Sequence, residues 1–206
     1  MRDMPEQEYR DEFKRDITKQ ALAWDKAWEI RNFEIEMYWK RATYFWAFQV
    51  AVFAGYAAFQ DMDPKKETWI AYLLSNIGVI VSIAWFYVNK GSKFWQQNWE
   101  AHIDILEKEI SGPLYKTLNY RNSKPIYSVS KINEKVSMFF IFAWLAIGVK
   151  YWVDHSLFNM KEFNINWFVV ISSAATILFS VWIRQCCRMD AKEPEYNSKL
   201  REPTHL

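Results

Sequence analysis

Four long apolar runs constrain the fold of this chain more than any other feature. They cover residues 44–60, 69–88, 136–153 and 167–183. None contains Asp, Glu or Arg, and Lys150 is their one charged residue. A helix needs roughly 17–25 residues to cross a bilayer, and helices of soluble proteins seldom stay apolar on every side. The sequence therefore predicts an all-α protein with four transmembrane helices.

Charge asymmetry gives the orientation of these spans. Lys and Arg number nine in residues 1–43, eight in 89–135 and five in 184–206, but two in 61–68 and one in 154–166. The positive-inside rule then places both termini in the cytoplasm and the two short loops outside. The chain also has 12 Trp, a residue type that concentrates at membrane interfaces. We expect residues 184–206 to form a disordered cytoplasmic tail.

The N-terminal segment, residues 1–43, reads as a cytoplasmic amphipathic helix. Its apolar residues recur at steps of three, four and seven, which keeps them close to one helix face. They are Tyr9, Phe13, Ile17, Ala21, Trp24, Trp28, Ile35 and Tyr38. No Gly or Pro interrupts residues 6–54, so the pattern predicts one helix from residue 6 to residue 59.

Residues 89–135 are predicted to form a cytoplasmic helix and connector. Asn89 to Gly91 are expected to break or bend the chain as it leaves the membrane, and a second helix is expected over about 92–110. Trp95 and Trp99 lie on its apolar face, whereas Glu100, Asp104 and Glu107 lie on a face predicted to be solvated. The apolar face is expected to pack on the N-terminal helix. Ser130 is expected to cap a helix leading into the third span.

No residue pattern indicates catalysis, a cofactor or a metal. His102 lies two residues from Glu100 and Asp104, whereas ligands on one helix face stand three or four apart. His155 falls on an outer loop, and His205 lies next to the C-terminus. GxSxG, HExxH, P-loop and GxGxxG motifs do not occur in the sequence. We therefore predict a non-enzymatic protein.

Charge and cysteine content exclude two further classes. A formal net charge of +2 gives no indication of direct nucleic-acid binding. Cys186 and Cys187 are adjacent, which suits neither a disulfide framework nor a zinc site. They are expected to be small residues at a helix end, with lipidation as the alternative.

Polar residues inside the spans allow two interpretations. Asn, Gln and Ser often hydrogen-bond between membrane helices, which would make them packing residues. Alternatively, they line a water-filled path in an oligomer. The pore-lining candidates are Gln49, Ser75, Asn76, Ser172 and Ser173.

Three stretches carry a resemblance to known proteins: YWKRATYFW at 38–46, NKGSKFWQQNWEAHID at 89–104 and YSVSKIN at 127–133. They resemble small bacterial membrane proteins of anti-phage defence loci. The first is similar to the membrane entry of SLATT-type effectors, which are predicted to form pores, although that family typically has two spans. The four-span membrane component of the Kiwa defence system is similar in size and topology. The resemblance implies a bacterial inner-membrane protein that holds a cytoplasmic partner.

Two functions follow from these expectations. In the first, the chain is a membrane scaffold or sensor that contacts lipids, forms a homo-oligomer and docks an intracellular protein. The predicted partner-binding residues are Tyr9, Phe13, Trp24, Trp28, Trp95 and Trp99. In the second, it is a pore-forming effector that depolarises the cell when triggered.

Overall fold

The computed structural model describes residues 6–60, 68–117, 127–154 and 166–188. These residues form five α-helices and no strand. The helices are α1 (Glu6–Lys14), α2 (Ile17–Gln60), α3 (Thr68–Leu106), α4 (Val129–Asp154) and α5 (Trp167–Cys186). A 3-10 turn, Glu107–Glu109, follows α3. Helices α2 to α5 are each long and apolar enough to cross a membrane, so the predicted all-α fold with four such helices is confirmed.

The described residues divide into two compact units. The first, here called the amphipathic unit, contains residues 6–38, 92–117 and 127. The second, the bundle unit, contains residues 39–60, 68–91, 128–154 and 166–188. Helices α2 and α3 each contribute one segment to each unit, whereas α4 and α5 lie wholly within the bundle unit.

The predicted single helix over 6–59 is wrong, because the helix is interrupted at residues 15 and 16. The Asp16 carboxylate accepts hydrogen bonds from the backbone N–H groups of Thr18, at 2.9 Å, and Lys19, at 3.1 Å. Asp is a favoured N-cap residue, and here its side chain satisfies donors at the start of α2 that have no partner within the helix. The cap at Asp16 therefore starts a new helix, and the single helix predicted from the apolar periodicity is divided into α1 and α2.

The predicted break at Asn89 to Gly91 is also wrong, because α3 continues through these residues to Leu106. The Asn133 amide donates to the Asn89 side-chain oxygen at 3.1 Å, and Asn89 is buried. An Asn side chain engaged with another helix does not compete for its own backbone. A single Gly costs about 1 kcal/mol relative to Ala, which is too little to break a helix held by packing.

Ser128, rather than Ser130, occupies the N-terminal cap of α4. The Ser128 hydroxyl accepts from the backbone N–H of Lys131 at 3.4 Å, and Ser130 already lies inside the helix. At α5 the side chain of Asn166 accepts from the backbone N–H of Val169 at 3.3 Å. Most of the tail predicted to be disordered, residues 189–206, lies outside the described residues.

Candidate functional site

A buried polar cluster joins three helices of the bundle unit. Gln49 of α2 donates from Nε2 to the Ser82 hydroxyl of α3 at 2.8 Å. Trp144 of α4 donates from Nε1 to Gln49 Oε1 at 2.7 Å. Ser82 in turn donates to the carbonyl of Gly78 at 2.7 Å. Both sides of the Gln49 amide are therefore engaged, and in hydrocarbon such pairing avoids the cost of an unsatisfied polar group.

Close helix packing accompanies this cluster. Trp144 is fully buried, and its ring stacks on Phe53 with centroids 4.0 Å apart. A Cβ atom at Gly78 would lie only 2.3 Å from Trp144 Cδ2, closer than any van der Waals contact permits. Gly78 is thus the residue that lets α3 accommodate the indole ring of α4.

A cavity of about 390 Å³ lies between α3, α4 and α5 of the bundle unit. Its walls are mostly apolar, and they include Asn76 of α3, Gly148 and Val149 of α4, and Ile177 of α5. The Asn76 amide nitrogen, Nδ2, is buried and has no hydrogen-bond partner among the described residues. Asn76 thus borders the cavity, while its Nδ2 donor is buried and left unsatisfied by the described part of the chain.

A chain of hydrogen bonds borders the same cavity. Trp152 donates from Nε1 to the Tyr72 hydroxyl at 2.8 Å, and that hydroxyl lies 2.5 Å from the Ser173 hydroxyl. Ser173 Oγ also bonds the carbonyl of Val169 at 2.6 Å. These contacts join α5 to α3 and α4 through polar groups that membrane helices commonly use for this purpose.

The structure brings together three of the five pore-lining candidates. Ser75, Asn76 and Ser173 border the cavity, whereas Gln49 and Ser172 are not among its lining residues. Gln49 is 1% exposed, inside the polar cluster, and Ser172 donates to the carbonyl of Phe168 at 2.7 Å. A pore-lining role stays a prediction for all five.

The amphipathic unit packs aromatic side chains from α1 against α3. The Tyr9 hydroxyl lies 2.9 Å from His102 Nδ1, and the Tyr9 ring contacts Phe13 with centroids 5.1 Å apart. His102 also contacts the ring of Trp99 at 5.2 Å. His102 is therefore a packed residue between Tyr9 and Trp99.

A second aromatic group holds α2 to the segment after α3. Trp24 and Trp28 meet edge to face at 5.9 Å, and Trp28 contacts the Tyr115 ring at 5.0 Å. The Arg31 guanidinium lies 5.3 Å from the Trp28 ring and 3.5 Å from the Glu100 carboxylate. These contacts fix the start of α2 against α3 and the residues that follow it.

The six predicted partner-binding residues therefore differ in their surroundings. Five of them contact rings within the unit that lie at least three residues away along the chain. Trp95 instead contacts the ring of its chain neighbour Phe94 and is 41% exposed. Partner binding stays a prediction for all six.

The acidic face predicted on α3 is not solvated, and this expectation is wrong. Glu107 is fully buried, Asp104 is buried, and Glu100 pairs with Arg31. The two Glu107 oxygens accept from the backbone N–H groups of Tyr115, at 2.8 Å, and Lys116, at 3.2 Å. The carboxylate therefore holds the returning segment in place.

The sequence did not reveal the long-range hydrogen bonds of Glu107 and Gln20. The chain turns at Gly112, whose φ of 66° is left-handed, and this turn brings residues 115 and 116 back to Glu107. The Gly112-Pro113 pair was a signal for that reversal. Gln20 donates to the carbonyl of Leu106 at 2.8 Å and so satisfies an acceptor at the end of α3. No local pattern identified this contact between distant residues.

Replacing Glu107 with Gln is expected to loosen residues 111–117. The carboxamide keeps one acceptor oxygen, so one of the two backbone N–H groups would face an amide NH₂ instead. Leaving a buried donor unsatisfied costs about 1–3 kcal/mol. Hydrogen–deuterium exchange at Tyr115 and Lys116 should rise in Glu107→Gln and stay unchanged in the control Glu109→Gln, whose residue is exposed. Equal exchange in both variants would contradict this assignment.

Acidification is expected to destabilise the amphipathic unit through His102. Burial lowers the pKa of its imidazole below the ordinary value of 6.5. The unfolded chain therefore binds a proton at His102 more readily than the folded chain does. The contribution of the neutral imidazole to stability is fully present above pH 6.5 and is lost as the pH falls below it. Limited proteolysis should cut the unit faster at about pH 5.5 than at about pH 7.5, and His102→Gln should reduce that difference. His155→Gln is the control, and an unchanged difference in His102→Gln would refute the prediction.

Among the described residues, no three His, Cys, Asp or Glu side chains form a group that can hold a metal ion. Cys186 and Cys187 are exposed free thiols.

Comparison with known proteins gives one family. The model described as "Octameric membrane protein family (8xMP)" matches residues 21–153, which include most of α2, all of α3 and nearly all of α4. No curated protein and no solved structure matches the chain significantly. Together with the four apolar helices, the match shows an integral, multi-pass membrane protein. The membrane part of the resemblance is thereby confirmed, whereas the family description says nothing of SLATT-type effectors, Kiwa or defence.

Proposed function

Because this chain belongs to the octameric membrane protein family, we propose that it assembles as a homo-octamer and acts as a non-enzymatic membrane scaffold. In this proposal the bundle unit anchors the assembly in lipid. The amphipathic unit docks an intracellular protein. Both termini lie in the cytoplasm, as the distribution of Lys and Arg predicts.

The observation that supports docking is the apolar surface that the amphipathic unit leaves uncovered. Leu22, Phe33, Trp95 and Leu114 are exposed although the unit has its own aromatic core. Exposed apolar side chains of this size mark interaction sites when they cluster, and Trp is enriched among residues that dominate binding. We assign the partner contact to Trp95, with the other exposed apolar residues of the unit as further candidates. The other predicted partner-binding residues then hold the unit in shape.

Loss of Trp95 is expected to release the partner while the protein still inserts. The test is affinity purification of tagged chain from membranes of its host, with quantitative mass spectrometry of the bound proteins. Trp95→Ala should reduce the recovery of one specific protein at equal membrane expression. Trp69→Ala is the matched control, because Trp69 lies on the same helix, is 47% exposed and belongs to the bundle unit.

The docking proposal fails if Trp95→Ala retains every protein that the wild-type chain retains. It also fails if Trp69→Ala removes the same protein to the same extent. The second result would place the contact on the bundle unit.

We propose anti-phage defence in the bacterial inner membrane as the biological setting, supported by the resemblance of residues 38–46, 89–104 and 127–133. Deleting the gene in its host should raise the plating efficiency of at least one phage. Restoring the wild-type chain should reverse the change, and restoring Trp95→Ala should not. An unchanged plating efficiency for every phage in a broad panel would refute a role in defence.

A pore-forming effector is the second candidate, favoured by the octameric family. A ring of eight copies has a central axis, and polar side chains near it can line an opening. A voltage-sensitive dye in expressing cells tests this function. Depolarisation that Asn76→Leu suppresses at equal expression would favour the pore. A constant membrane potential, also during phage infection, would exclude it.

A further inference from the structure

We propose that the bundle unit binds an anionic phospholipid, whose phosphate group contacts Lys131 and Lys135 near the start of α4. The chain is an integral membrane protein, so lipid surrounds its spans. Such binding selects lipids by the charge of the headgroup, and it requires neither the proposed octamer nor a docked protein.

Acidic residues are scarce in the bundle unit. Among its described residues only Glu134 and Asp154 carry a carboxylate side chain. These two lie at opposite ends of α4, because Glu134 falls in its second turn and Asp154 is its last residue. Exposed basic residues near the end that carries Glu134 come from three helices: Lys90 of α3, Lys131 and Lys135 of α4, and Arg184 of α5. One carboxylate cannot neutralise all of these charges.

The start of α4 lies level with Lys90 of α3. The Asn133 side chain donates to the Asn89 side-chain oxygen at 3.1 Å, and both residues are buried. Lys90 follows Asn89 directly. Lys131 and Lys135 each lie two residues from Asn133, which is about 3 Å along the helix axis. The three lysines are therefore at one end of the unit.

Helix α5 brings Arg184 to the same end. The Phe168 ring of α5 lies 5.6 Å from the ring of Trp69, near the other end of α3. Tyr72 and Ser173, farther along these two helices, are hydrogen-bonded, so α3 and α5 run in the same direction. Arg184 lies sixteen residues beyond Phe168, a rise of about 24 Å, and so reaches the end at which α4 begins.

The four cations form no ion pair with any described residue of the chain. Exposed lysines of the amphipathic unit instead lie beside carboxylates, as Lys14 does at 3.0 Å from Asp11. Lys90 Nζ lies 4.6 Å from the centroid of the Phe86 ring, which leaves the lysines of α4 as the principal contacts for an anion. Clusters of Lys and Arg beside a membrane span attract the headgroups of anionic lipids.

The two lysines of α4 also lie at the end of an exposed apolar face. Its exposed residues follow at steps of four, four, three, four and three, which keeps them on one side of the helix. They are Lys131, Lys135, Phe139, Phe142, Ala146 and Val149. A phospholipid matches both parts of this face, because its phosphate can bind the lysines while its acyl chains cover the phenyl rings. A nucleic acid carries phosphates but no hydrocarbon to cover those rings.

Native mass spectrometry of the full chain in detergent tests the preference for anionic lipid. Phosphatidylglycerol and phosphatidylcholine with matched acyl chains would be added at equal concentration, and the adducts of each lipid counted. The wild-type chain should carry several times more phosphatidylglycerol than phosphatidylcholine. Lys131→Gln together with Lys135→Gln should lower this ratio by about fivefold or more, because the phosphate loses both cations.

Two further double variants are the matched controls. Lys14→Gln with Lys150→Gln removes the same charge, but Lys14 belongs to the amphipathic unit and Lys150 lies near the other end of α4. This variant should keep the wild-type lipid ratio. Lys131→Arg with Lys135→Arg retains both positive charges and should keep the ratio as well.

Four results would overturn the proposed lipid site. The first is an equal count of the two lipids on the wild-type chain, which requires no variant. The second is a wild-type ratio in the variant with Lys131→Gln and Lys135→Gln. The third is an equal loss in the control with Lys14→Gln and Lys150→Gln. The fourth is displacement of phosphatidylglycerol by a short RNA, which would show that the lysines bind nucleic-acid phosphates instead.

The same spectra give the number of chains in each particle. A different number in the variant with Lys131→Gln and Lys135→Gln would show that this face joins copies of the chain, and would also overturn the lipid site. Eight chains without a lipid preference would refute the lipid site alone. A single chain with the preference would refute only the octamer.

Discussion

Replacing Gly78 with Ala is expected to disrupt the bundle unit more than any other single methyl addition at a glycine of this unit. The new Cβ would lie 2.3 to 2.6 Å from three ring atoms of Trp144. The indole ring cannot move freely, because it is fully buried, stacked on Phe53 and hydrogen-bonded to Gln49. Overpacking of this kind costs about 1–3 kcal/mol. The thermal unfolding temperature of the purified protein in detergent should fall accordingly.

Gly148→Ala and Gly91→Ala are the controls for Gly78→Ala. A Cβ atom at Gly148 would meet Ser75 Oγ at 3.5 Å, an ordinary contact, and one at Gly91 would meet no atom of the described residues within 4 Å. Both variants should therefore unfold close to the wild-type temperature. Equal unfolding temperatures for Gly78→Ala and Gly148→Ala would show that α3 and α4 do not pack through Gly78.

Replacing Gln49 with Leu is expected to give the second-largest loss of stability. Leu removes the acceptor of Trp144 Nε1 and the donor to Ser82, while the Trp144 indole stays fully buried. An orphaned buried donor costs about 1–3 kcal/mol. The exposed residue Gln97 offers the matched control, because Gln97→Leu removes the same group without burial.

A double-mutant cycle shows whether the loss comes from the hydrogen bond. Trp144→Phe removes the indole donor, so Gln49→Leu should cost less in that background than in the wild type. Residues that share a network show interaction energies of about 0.5–3 kcal/mol. Additive losses would mean that Gln49 stabilises the bundle through packing alone.

Features that depend on composition were predictable from the sequence. The four apolar runs fixed the number of candidate spans, because a helix that faces hydrocarbon must be apolar along its whole length. The sequence also showed that Gln49 and Asn76 are polar residues inside these spans. Their different surroundings were not predictable: Gln49 is hydrogen-bonded to two other helices, whereas the buried Asn76 Nδ2 has no partner among the described residues.

Features that depend on long-range contacts were not predictable. The sequence suggested that Asn89 ends the helix, but its side chain is hydrogen-bonded to Asn133, 44 residues away. Glu107 looked solvated because helical periodicity places it beside other acids. Its burial depends on a reversal at Gly112 that supplies two backbone donors. In each case a partner outside the helix decides the role of the residue.

The same distinction applies to the predicted docking residues. Periodicity identified an aromatic face on each of two segments, and the two faces pack within the amphipathic unit. The pattern alone did not distinguish Trp99, which contacts His102, from Trp95, which remains exposed. Exposure in the folded unit is the property that now selects Trp95 for the docking proposal.

The mass of the assembly shows whether this membrane protein is a homo-octamer. The full chain would be extracted into lipid nanodiscs without detergent and its protein mass measured by native mass spectrometry. We expect a dominant species of eight times the 24.8 kDa chain mass. A dominant monomer or dimer at the same membrane concentration would contradict it.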